Sequence, residues 1–377
     1  MIPFIDLKAQ QAMMRPEIDR AIAKVLDDGQ YILGQALRDF ERDLSDFVGG
    51  AHALGTSSGT DALLIPLMAW GVGQGDAVFV PSFTYTATVE AIVLAHATPV
   101  FVDVDPGTFN IDVADLKAKI IETRKAGKLT PKAVMSVDLF GLPVDYANIA
   151  DVAKAGGLHF LSDAAQGFGG AVCGRRVGGL ADVTATSFFP AKPLGCYGDG
   201  GAVFTNDEAM LEVMRSVRTH GQGKSKYDIA RVGLNARLDT LQAAILAVKL
   251  RYFETELAAR DKLASDYSAV LSQVVETPVV PEGLFSSWAQ YTLKLQDNQR
   301  DGFQDFMKSK SVPTMVYYPA PMHIQPVYAP FGHGAGSLPV SEYLCTRVVS
   351  IPMHGYVGDE TRDSIIAACL QFFEERG

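Results

Sequence analysis

The sequence predicts an α/β protein with a large, mostly parallel sheet domain and a smaller C-terminal domain that mixes helices and strands. Short runs of β-branched and aromatic residues alternate with apolar helical stretches from about residue 50 to 206. A long Ala- and Leu-rich helical pattern follows at 237–271. The chain has 377 residues, 48% of them hydrophobic, which suggests two domains more readily than one. We therefore place the domains at residues 1–250 and 251–377.

Strand and helix patterns alternate along the first domain. The helical patterns include GTDALLIPLMAW (59–70) and YTATVEAIVLAHA (85–97). The predicted strands, in chain order, are DAVFVPSF, TPVFVDV, KAVMSVDL, LHFLSDAA, VTATSFF and GAVFTN. Because such alternation builds βαβ units, we expect a largely parallel sheet with helices on both faces.

The C-terminal part has a different pattern. The long helix at 237–271 would act as a spine that joins the two domains. Beyond it, WAQYTLKL (288–295) has the composition of a strand, and VPTMVYYPAPMHIQP (312–326) is a loop rich in proline and tyrosine. These patterns predict a small α+β domain.

Composition limits the classes of function. Lysine and arginine total 33 against 43 acidic residues, a net charge of −10, so we expect no nucleic-acid partner, and an anionic ligand would need a local positive site. No apolar run approaches the ~20 residues of a membrane span, and MIPFIDLKAQ has no signal-peptide pattern. The cysteines form no CxxC pair or zinc spacing, which predicts reduced thiols, no metal site and a cytoplasmic location: Cys173, Cys196, Cys345 and Cys369.

Two segments that lie beside predicted strands could contact a ligand. In GTSSGTDALL (55–64), small hydroxyl residues and Gly59 lead into a helix, whose N-terminus suits a phosphate or carries a simple Ser/Thr cap. In LSDAAQGFGG (161–170), Asp163 ends a strand three residues before Gln166 and could pair with a cationic ring nitrogen or cap the next helix. Because open α/β sheets bind ligands at the carboxyl ends of their strands, both segments are candidates.

A third segment, SFFPAKPLGCYGDGG (187–201), carries a lysine in unusual company. Lys192 is the only charged residue within 183–198, and Pro190 and Pro193 constrain the loop around it. The ordinary interpretation is a surface lysine. An amine in apolar surroundings can instead lose its proton and become nucleophilic. Pyridoxal phosphate (PLP) enzymes use such a lysine with an acid at the ring nitrogen, so the three segments together indicate a PLP site.

The motif SFFPAKPLGCYGDGGAVFTND resembles the lysine motif of the DegT/DnrJ/EryC1/StrS family of PLP-dependent nucleotide-sugar aminotransferases. The resemblance implies the type I PLP-dependent transferase fold and a homodimer with shared active sites. HGQGKSKYD is most similar to the UDP-sugar branch, which includes 3-oxo-glucuronate aminotransferases of polysaccharide synthesis. Other matching segments run in order along nearly the whole chain: IPFIDLKAQ, GTSSGTDAL, PSFTYTAT, PVFVDVD, SDAAQGFG, RTHGQGKSKYDIARVGLNARLDTLQAAIL and VYYPAPMHIQP.

The resemblance implies a role for each matched cofactor residue. Lys192 matches the lysine that forms the Schiff base with PLP, and Asp163 matches the partner of the pyridine nitrogen. Gln166 matches the residue beside the ring hydroxyl, and Phe83 matches an aromatic residue that stacks on the ring face. The residues that match phosphate contacts are Gly59, Thr60 and Ser187.

The resemblance also implies substrate contacts. GLNARLD matches a segment that enters the neighbouring subunit's site, where Asn235 would touch the partner's PLP phosphate. Arg237 would bind a substrate carboxylate or phosphate; a surface salt bridge is the alternative. Three residues of the C-terminal loop match the sugar pocket of relatives, with simple loop packing as the alternative: Tyr317, Tyr318 and His323. Lys224 and Lys226 are further candidates for binding an anionic substrate.

The implied reaction moves an amino group from L-glutamate to the keto-sugar of a nucleotide-sugar, with a UDP-linked 3-oxo sugar preferred. A 4-keto-6-deoxy sugar on dTDP, UDP or GDP is an alternative substrate. A dehydratase offshoot carries histidine in place of the lysine, but Lys192 is intact. Two positions depart from the pattern: Ser162 replaces a common glutamate, with little consequence expected, and Tyr317 replaces a histidine of some relatives. A PLP-binding regulator stays open, whereas a dinucleotide oxidoreductase lacks its GxGxxG fingerprint.

Overall fold

The fold was analysed in a computed structural model that describes residues 2–225 and 227–374. Its α-helices are α1 (Leu7–Asp28), α2 (Gln35–Phe47), α3 (Gly59–Ala69), α4 (Thr86–Leu94), α5 (Val113–Ala126), α6 (Tyr146–Gly156), α7 (Glu208–Arg218), α8 (Thr240–Leu271), α9 (Arg300–Ser309), α10 (Pro339–Arg347) and α11 (Asp359–Glu374). Its strands are β1 (His52–Thr56), β2 (Asp76–Pro81), β3 (Thr98–Val102), β4 (Thr130–Val137), β5 (His159–Asp163), β6 (Ala171–Val172), β7 (Arg175–Arg176), β8 (Val183–Ser187), β9 (Gly201–Thr205), β10 (Leu284–Phe285), β11 (Tyr291–Lys294) and β12 (Val348–Ile351).

A seven-stranded sheet forms the centre of the large domain, in the order β1-β9-β8-β5-β4-β2-β3. Neighbouring strands from β3 to β8 pair in parallel, and β9 pairs antiparallel with both β8 and β1. The inner strands are buried along nearly their whole length, because helices cover both faces. The carboxyl ends of β2, β4, β5 and β8 therefore meet along one edge, where ligands of such sheets bind.

Local sequence explains where several helices begin. Asp112, Asp145 and Asp207 each accept hydrogen bonds from backbone N–H groups in the first turn of α5, α6 and α7. At the other end, Gly127 and Gly157 close α5 and α6 in the left-handed conformation that glycine adopts without strain. These caps fix the lengths of the helices between the strands.

A second apolar core lies in the C-terminal part. It is built from the second half of α8, the β11–β12 pair, α9 and α11. The first half of α8 packs instead on α1, α2 and the sheet domain. The boundary predicted at residue 250 falls inside this continuous helix, and the division into 1–250 and 251–377 stays a prediction.

The sequence-based element assignments agree with the structure for the six predicted strands, which correspond to β2, β3, β4, β5, β8 and β9. The long helix begins at Thr240, three residues later than expected, because Asp239 still has an extended backbone. The pattern analysis missed β1, whose sequence HALGT has few residues typical of a strand. Its pairing with β9 is decided by tertiary contact.

Candidate active site

Lys192 lies on a loop between β8 and β9 that closes on itself. The Phe188 carbonyl accepts from the N–H of Cys196 at 2.8 Å and from its Sγ at 3.0 Å. A second lysine, Lys249 of α8, is 1% exposed and donates from Nζ to the Gly195 carbonyl at 2.5 Å. Buried hydrogen bonds thus join the beginning and the end of the loop that carries Lys192, and this limits the positions that the amine can adopt.

Burial changes the acid–base properties of the lysine. It lowers the pKa of the Lys192 amine, and the negative charge of Asp163 partly opposes this shift. The lowered pKa increases the fraction of neutral, nucleophilic amine near neutral pH. Lys192 and Asp163 are close enough to affect each other's charge, so the structure brings these two predicted residues together.

Asp163 ends β5 with a carboxyl group that is 5% exposed. Its Oδ2 accepts from the Thr88 hydroxyl at 2.8 Å, and its Oδ1 accepts from the Ala165 N–H at 3.1 Å. Burial raises the pKa of Asp163, while the Thr88 hydroxyl, the Ala165 N–H and the Lys192 charge act in the opposite direction. A cation held against this carboxylate would favour its ionised form further, as a protonated ring nitrogen requires.

The N-terminus of α3 forms the predicted phosphate end. Ser58 caps the helix by accepting from the Asp61 N–H at 3.1 Å, and the first N–H groups of a helix have no partner within it. Gly59 approaches β8 so closely that a Cβ there would lie 2.6 Å from the Cβ of Ser187. Gly59, Thr60 and Ser187 therefore lie next to one another, as a shared anion contact requires.

Gln166 and Tyr318 form a hydrogen-bonded pair at the candidate site. Gln166 accepts from the Phe140 N–H through Oε1 at 2.6 Å and donates from Nε2 to the Tyr318 hydroxyl at 3.0 Å. The hydroxyl of Tyr318 is buried, which raises its pKa and keeps it protonated, with Asp163 acting in the same direction. Tyr318 thus reaches the candidate site from the C-terminal domain, while the Tyr317 ring faces Phe4 at a centroid distance of 6.3 Å.

The packing contradicts the stacking role predicted for Phe83. Its side chain is 1% exposed and packs against Phe109, Phe140 and Tyr318, so no face is open to a ligand. Tyr85, two residues later, is 56% exposed, and its ring centroid lies 6.1 Å from that of Tyr318. Both aromatic residues stand in PSFTYTAT, and only the chain direction after β2 decides which one faces the site.

His323 is also misassigned as a sugar-pocket residue. It is 0% exposed, and both ring nitrogens are occupied, Nδ1 with the Ser82 hydroxyl at 2.7 Å and Nε2 with Glu342 at 3.1 Å. The Met322 N–H donates to the Ser82 carbonyl at 2.8 Å. His323 therefore fastens the loop that carries Tyr318 to the end of β2 and does not contact a ligand.

The segment that precedes α8 runs beside the phosphate end. Arg237 pairs with Thr56 in an isolated antiparallel bridge, and its Nε is buried without a hydrogen-bond partner among the described residues. Asn235 is exposed. Lys224 is exposed as well, whereas Lys226 lies outside the described residues. The assignment of these residues to substrate or to the neighbouring site stays a prediction.

Two residues beside the site were missed from sequence: Tyr85 and Thr88. Thr88 is separated from Asp163 by 75 residues, and only the parallel pairing of β2, β4 and β5 brings them together. Within the described ranges no group of His, Cys, Asp or Glu side chains could hold a metal ion. No helix in those ranges has the length and apolar character needed to cross a membrane.

The arrangement can bind an aromatic ring that carries a phosphate group and a nitrogen able to take up a proton, and it holds this ring beside a reactive amine. The phosphate would lie at α3, the positively charged ring nitrogen at Asp163, and a carbonyl carbon within reach of Lys192. These residues fit PLP, because the N-terminus of α3 presents N–H groups that have no partner within the helix, Gly59 brings this turn close to Ser187, and Asp163 is a buried carboxyl. Fold and site together define an aminotransferase-like α/β enzyme.

Comparison with known proteins specifies the family. Residues 12–370 match the DegT/DnrJ/EryC1/StrS aminotransferase family, and the chain belongs to it. It is 46% identical, over 98% of its own length and 99% of the relative's, to the UDP-2-acetamido-2-deoxy-3-oxo-D-glucuronate aminotransferase of Pseudomonas aeruginosa.

Solved structures confirm the fold prediction. A DegT DnrJ EryC1 StrS aminotransferase from Brucella abortus superposes with a TM-score of 0.97 at 46% identity, covering 99% of this chain and 100% of that one. The Bacillus subtilis protein NtdA, solved with its cofactor PMP bound, superposes with a TM-score of 0.89 at 27% identity, covering 99% of this chain and 85% of that one. The predicted PLP-dependent aminotransferase fold is therefore confirmed.

Proposed function

We propose that this chain is a PLP-dependent aminotransferase that moves the amino group of L-glutamate to the keto-sugar of a nucleotide-sugar, namely a UDP-linked 3-oxo sugar used in surface polysaccharide synthesis. The observation that carries the proposal is that Lys192 lies within charge-interaction range of the buried Asp163 carboxyl, beside the N-terminus of α3. The choice of sugar rests on the full-length similarity to the Pseudomonas aeruginosa enzyme.

The chemistry divides between cofactor and protein. PLP, when bound, supplies the electron sink that makes amine transfer feasible. With PLP bound, Lys192 would take the proton from Cα of the amino donor and deliver it to the C4′ carbon of the cofactor, because an amine with a lowered pKa can both accept and donate a proton near neutral pH. Asp163, which is shielded from water, would pair with the ring nitrogen and keep it protonated. Tyr85 lies where an open aromatic face can stack on the ring.

Substrate binding needs local positive groups, since the chain carries a net charge of −10. The N-terminus of α3 would bind the cofactor phosphate, and Arg237 has a planar fork that suits a carboxylate or a phosphate. We assign Arg237 and Asn235 to the active site of a second copy, so that the working unit is a homodimer. We place the reaction in the cytoplasm, in keeping with the four free cysteines.

The absorption spectrum in the presence of PLP tests the first half of the reaction. The wild-type chain should bind PLP with a visible band that is lost on addition of glutamate. The Lys192→Ala variant should show neither the band nor turnover, because its role is covalent, while far-UV circular dichroism stays unchanged. A folded Lys192→Ala variant with normal turnover would contradict the assignment.

Product analysis tests the second half. After reaction with glutamate, the chain should aminate a UDP-linked 3-oxo sugar, detected by mass spectrometry, in preference to a dTDP-linked 4-keto-6-deoxy sugar. Preference for the latter would reassign the substrate within the same family. A persistent visible band would exclude glutamate as donor, and PLP binding without amination of either sugar would favour a PLP-binding regulator.

A further inference from the structure

A second buried carboxyl group lies behind Asp163. Asp138 follows β4 directly, is 0% exposed and has no role in the reaction described so far. Its backbone N–H donates to the Asp163 carbonyl at 3.0 Å. On the other side, Gly167 packs so closely that a Cβ there would lie 2.3 Å from the Cβ of Asp138. Asp138 is thus held between the end of β4 and the turn that carries Asp163 and Gln166.

The Asp138 side chain belongs to a polar network on the face of the sheet opposite Asp163. Oδ1 accepts from the Val144 N–H at 2.9 Å, and Oδ2 accepts from the Tyr146 hydroxyl at 2.8 Å. Tyr146 and Ser162 share a hydrogen bond at 2.7 Å. Because the Tyr146 proton goes to Asp138, the Ser162 hydroxyl donates to Tyr146. Two donors therefore point at the Asp138 carboxyl and favour its charged form.

The row of residues around Ser162 adds to this polar environment. Ser136, Ser162 and Thr184 are register partners on β4, β5 and β8, and all three are 0% exposed. The hydroxyls of Ser136 and Thr184 have no hydrogen-bond partner among the described residues. Buried hydroxyls without a partner are costly in a purely structural core. Their retention beneath the candidate site is consistent with an electrostatic function.

We propose that Asp138, supported by Tyr146 and Ser162, is a positioning residue that acts through Asp163 and strengthens its hold on the ring nitrogen of PLP. The inference rests on the proposed function. A second negative charge beside Asp163 increases the attraction for a cation at that end of the ring.

The charge on Asp138 depends on pH. Burial, with a smaller contribution from the neighbouring Asp163 charge, raises the pKa of Asp138 to about 7, although the Val144 N–H and the Tyr146 hydroxyl act against the rise. Asp138 is therefore neutral in weakly acidic solution and ionised in weakly basic solution. The titratable groups that face it are Tyr146 from α6 and Asp163 from β5, and Lys192 in turn faces Asp163.

The decisive measurement is the dissociation constant for PLP in the wild type and in Asp138→Asn, taken at about pH 5.5 and about pH 8.5. The variant keeps the shape of the side chain but cannot ionise. It should bind PLP about tenfold more weakly than the wild type at the higher pH and nearly equally at the lower pH, where the side chain at position 138 is neutral in both proteins. A ratio that is the same at both pH values would overturn the proposal, because a purely structural defect does not follow this ionisation.

A second variant covers the case in which Asp138→Asn does not fold. Tyr146→Phe removes one donor from the Asp138 carboxylate, so the pH at which PLP binding strengthens should move upward. Tyr267→Phe is its matched control, since it removes a buried hydroxyl in the other core that donates to the Pro352 carbonyl at 3.0 Å and has no other hydrogen-bond partner among the described residues. Equal pH profiles for the two variants would overturn the proposal. A wild type that binds no PLP would overturn the proposed function as well, whereas wild-type binding with unshifted variants would overturn the role of Asp138 alone.

Discussion

At Gly59 the requirements of the helix and of the candidate site differ: an added methyl group would suit the helix but would not fit the space beside Ser187. As the first residue of α3 it could be alanine as far as helix formation is concerned, because alanine is favoured over glycine by about 1 kcal/mol in a helix interior. The space around it is the constraint, since an added Cβ would lie 2.6 Å from the Cβ and 2.9 Å from the Oγ of Ser187.

Gly59→Ala should therefore weaken PLP binding by about tenfold, through displacement of one charged hydrogen bond at the phosphate, and should lower the free energy of unfolding by about 1–3 kcal/mol, because the Cβ of Ser187 on β8 must shift. The measurement is a PLP titration by absorbance, alongside urea unfolding of the cofactor-free chain. Gly73→Ala is the matched control, because its Cβ would meet only the Ala95 carbonyl at an ordinary 3.9 Å. Equal PLP affinities of the two variants would count against a phosphate at α3.

Residue identity within a motif was harder to predict than the motif itself. The strand ends carrying Asp163 and Lys192 followed from the alternating pattern, because parallel strands present their carboxyl ends together. The choice between Phe83 and Tyr85 did not follow, because the path of the backbone after β2 buries the Phe83 ring and exposes the Tyr85 ring two residues later. His323 failed for a similar reason: its partners Ser82 and Glu342 are distant in sequence and could not be foreseen.

At the scale of elements, α8 carries three buried charged side chains, Lys249, Glu256 and Arg260. Glu256, 5% exposed, accepts both Gln10 Nε2 contacts at 3.0 Å and the Tyr356 hydroxyl at 2.5 Å. It thereby joins α1, α8 and the C-terminal domain at one point. One turn later, buried Arg260 donates to the Trp288 carbonyl at 3.0 Å, and the Glu256 charge favours its ionised form. The helix is thus a polar junction as well as a spine.

Replacing Glu256 with alanine should lower the free energy of unfolding by about 3 kcal/mol, because the Gln10 amide, the Tyr356 hydroxyl and the Arg260 charge lose a buried partner together. Urea unfolding measures the change. Glu254→Ala, two residues earlier, is the control: its side chain is 60% exposed and pairs with Arg176, so about 0–1 kcal/mol is expected. Similar decreases in the free energy of unfolding for both variants would contradict the role of Glu256 as a buried polar junction.

The length and position of α8 were predictable from its Ala- and Leu-rich pattern, whereas its division between two cores was not. The charged residues Lys249, Glu256 and Arg260 are all buried, which the Ala- and Leu-rich pattern does not indicate. Their partners come from three places: the Lys192 loop for Lys249, α1 and the C-terminal domain for Glu256, and the C-terminal domain for Arg260. Helix periodicity records where apolar contact is available and does not record where buried charges are satisfied.

At the scale of the whole molecule, the exposed apolar residues point to a partner surface. Ile229 and Val232 are 58% and 83% exposed in the segment between α7 and α8, directly before Asn235 and Arg237. Large exposed apolar side chains grouped in this way are typical of an interface. The segment that would enter the neighbouring site is therefore the same one that would bury its apolar residues on dimerisation.

A mixing experiment tests whether two chains share each site. Lys192→Ala lacks the reactive amine, and the double variant Asn235→Ala/Arg237→Ala lacks the residues offered to the neighbour, so each should be inactive as a homodimer. In a mixed dimer one site would combine Lys192 of one chain with intact Asn235 and Arg237 of the other. Unfolding and refolding an equal mixture should therefore restore about a quarter of the wild-type turnover, because random pairing makes half of the dimers mixed and one of their two sites complete. The same treatment of each variant alone is the control. No recovery in the mixture, with dimers present by light scattering, would mean that Asn235 and Arg237 serve the site of their own chain.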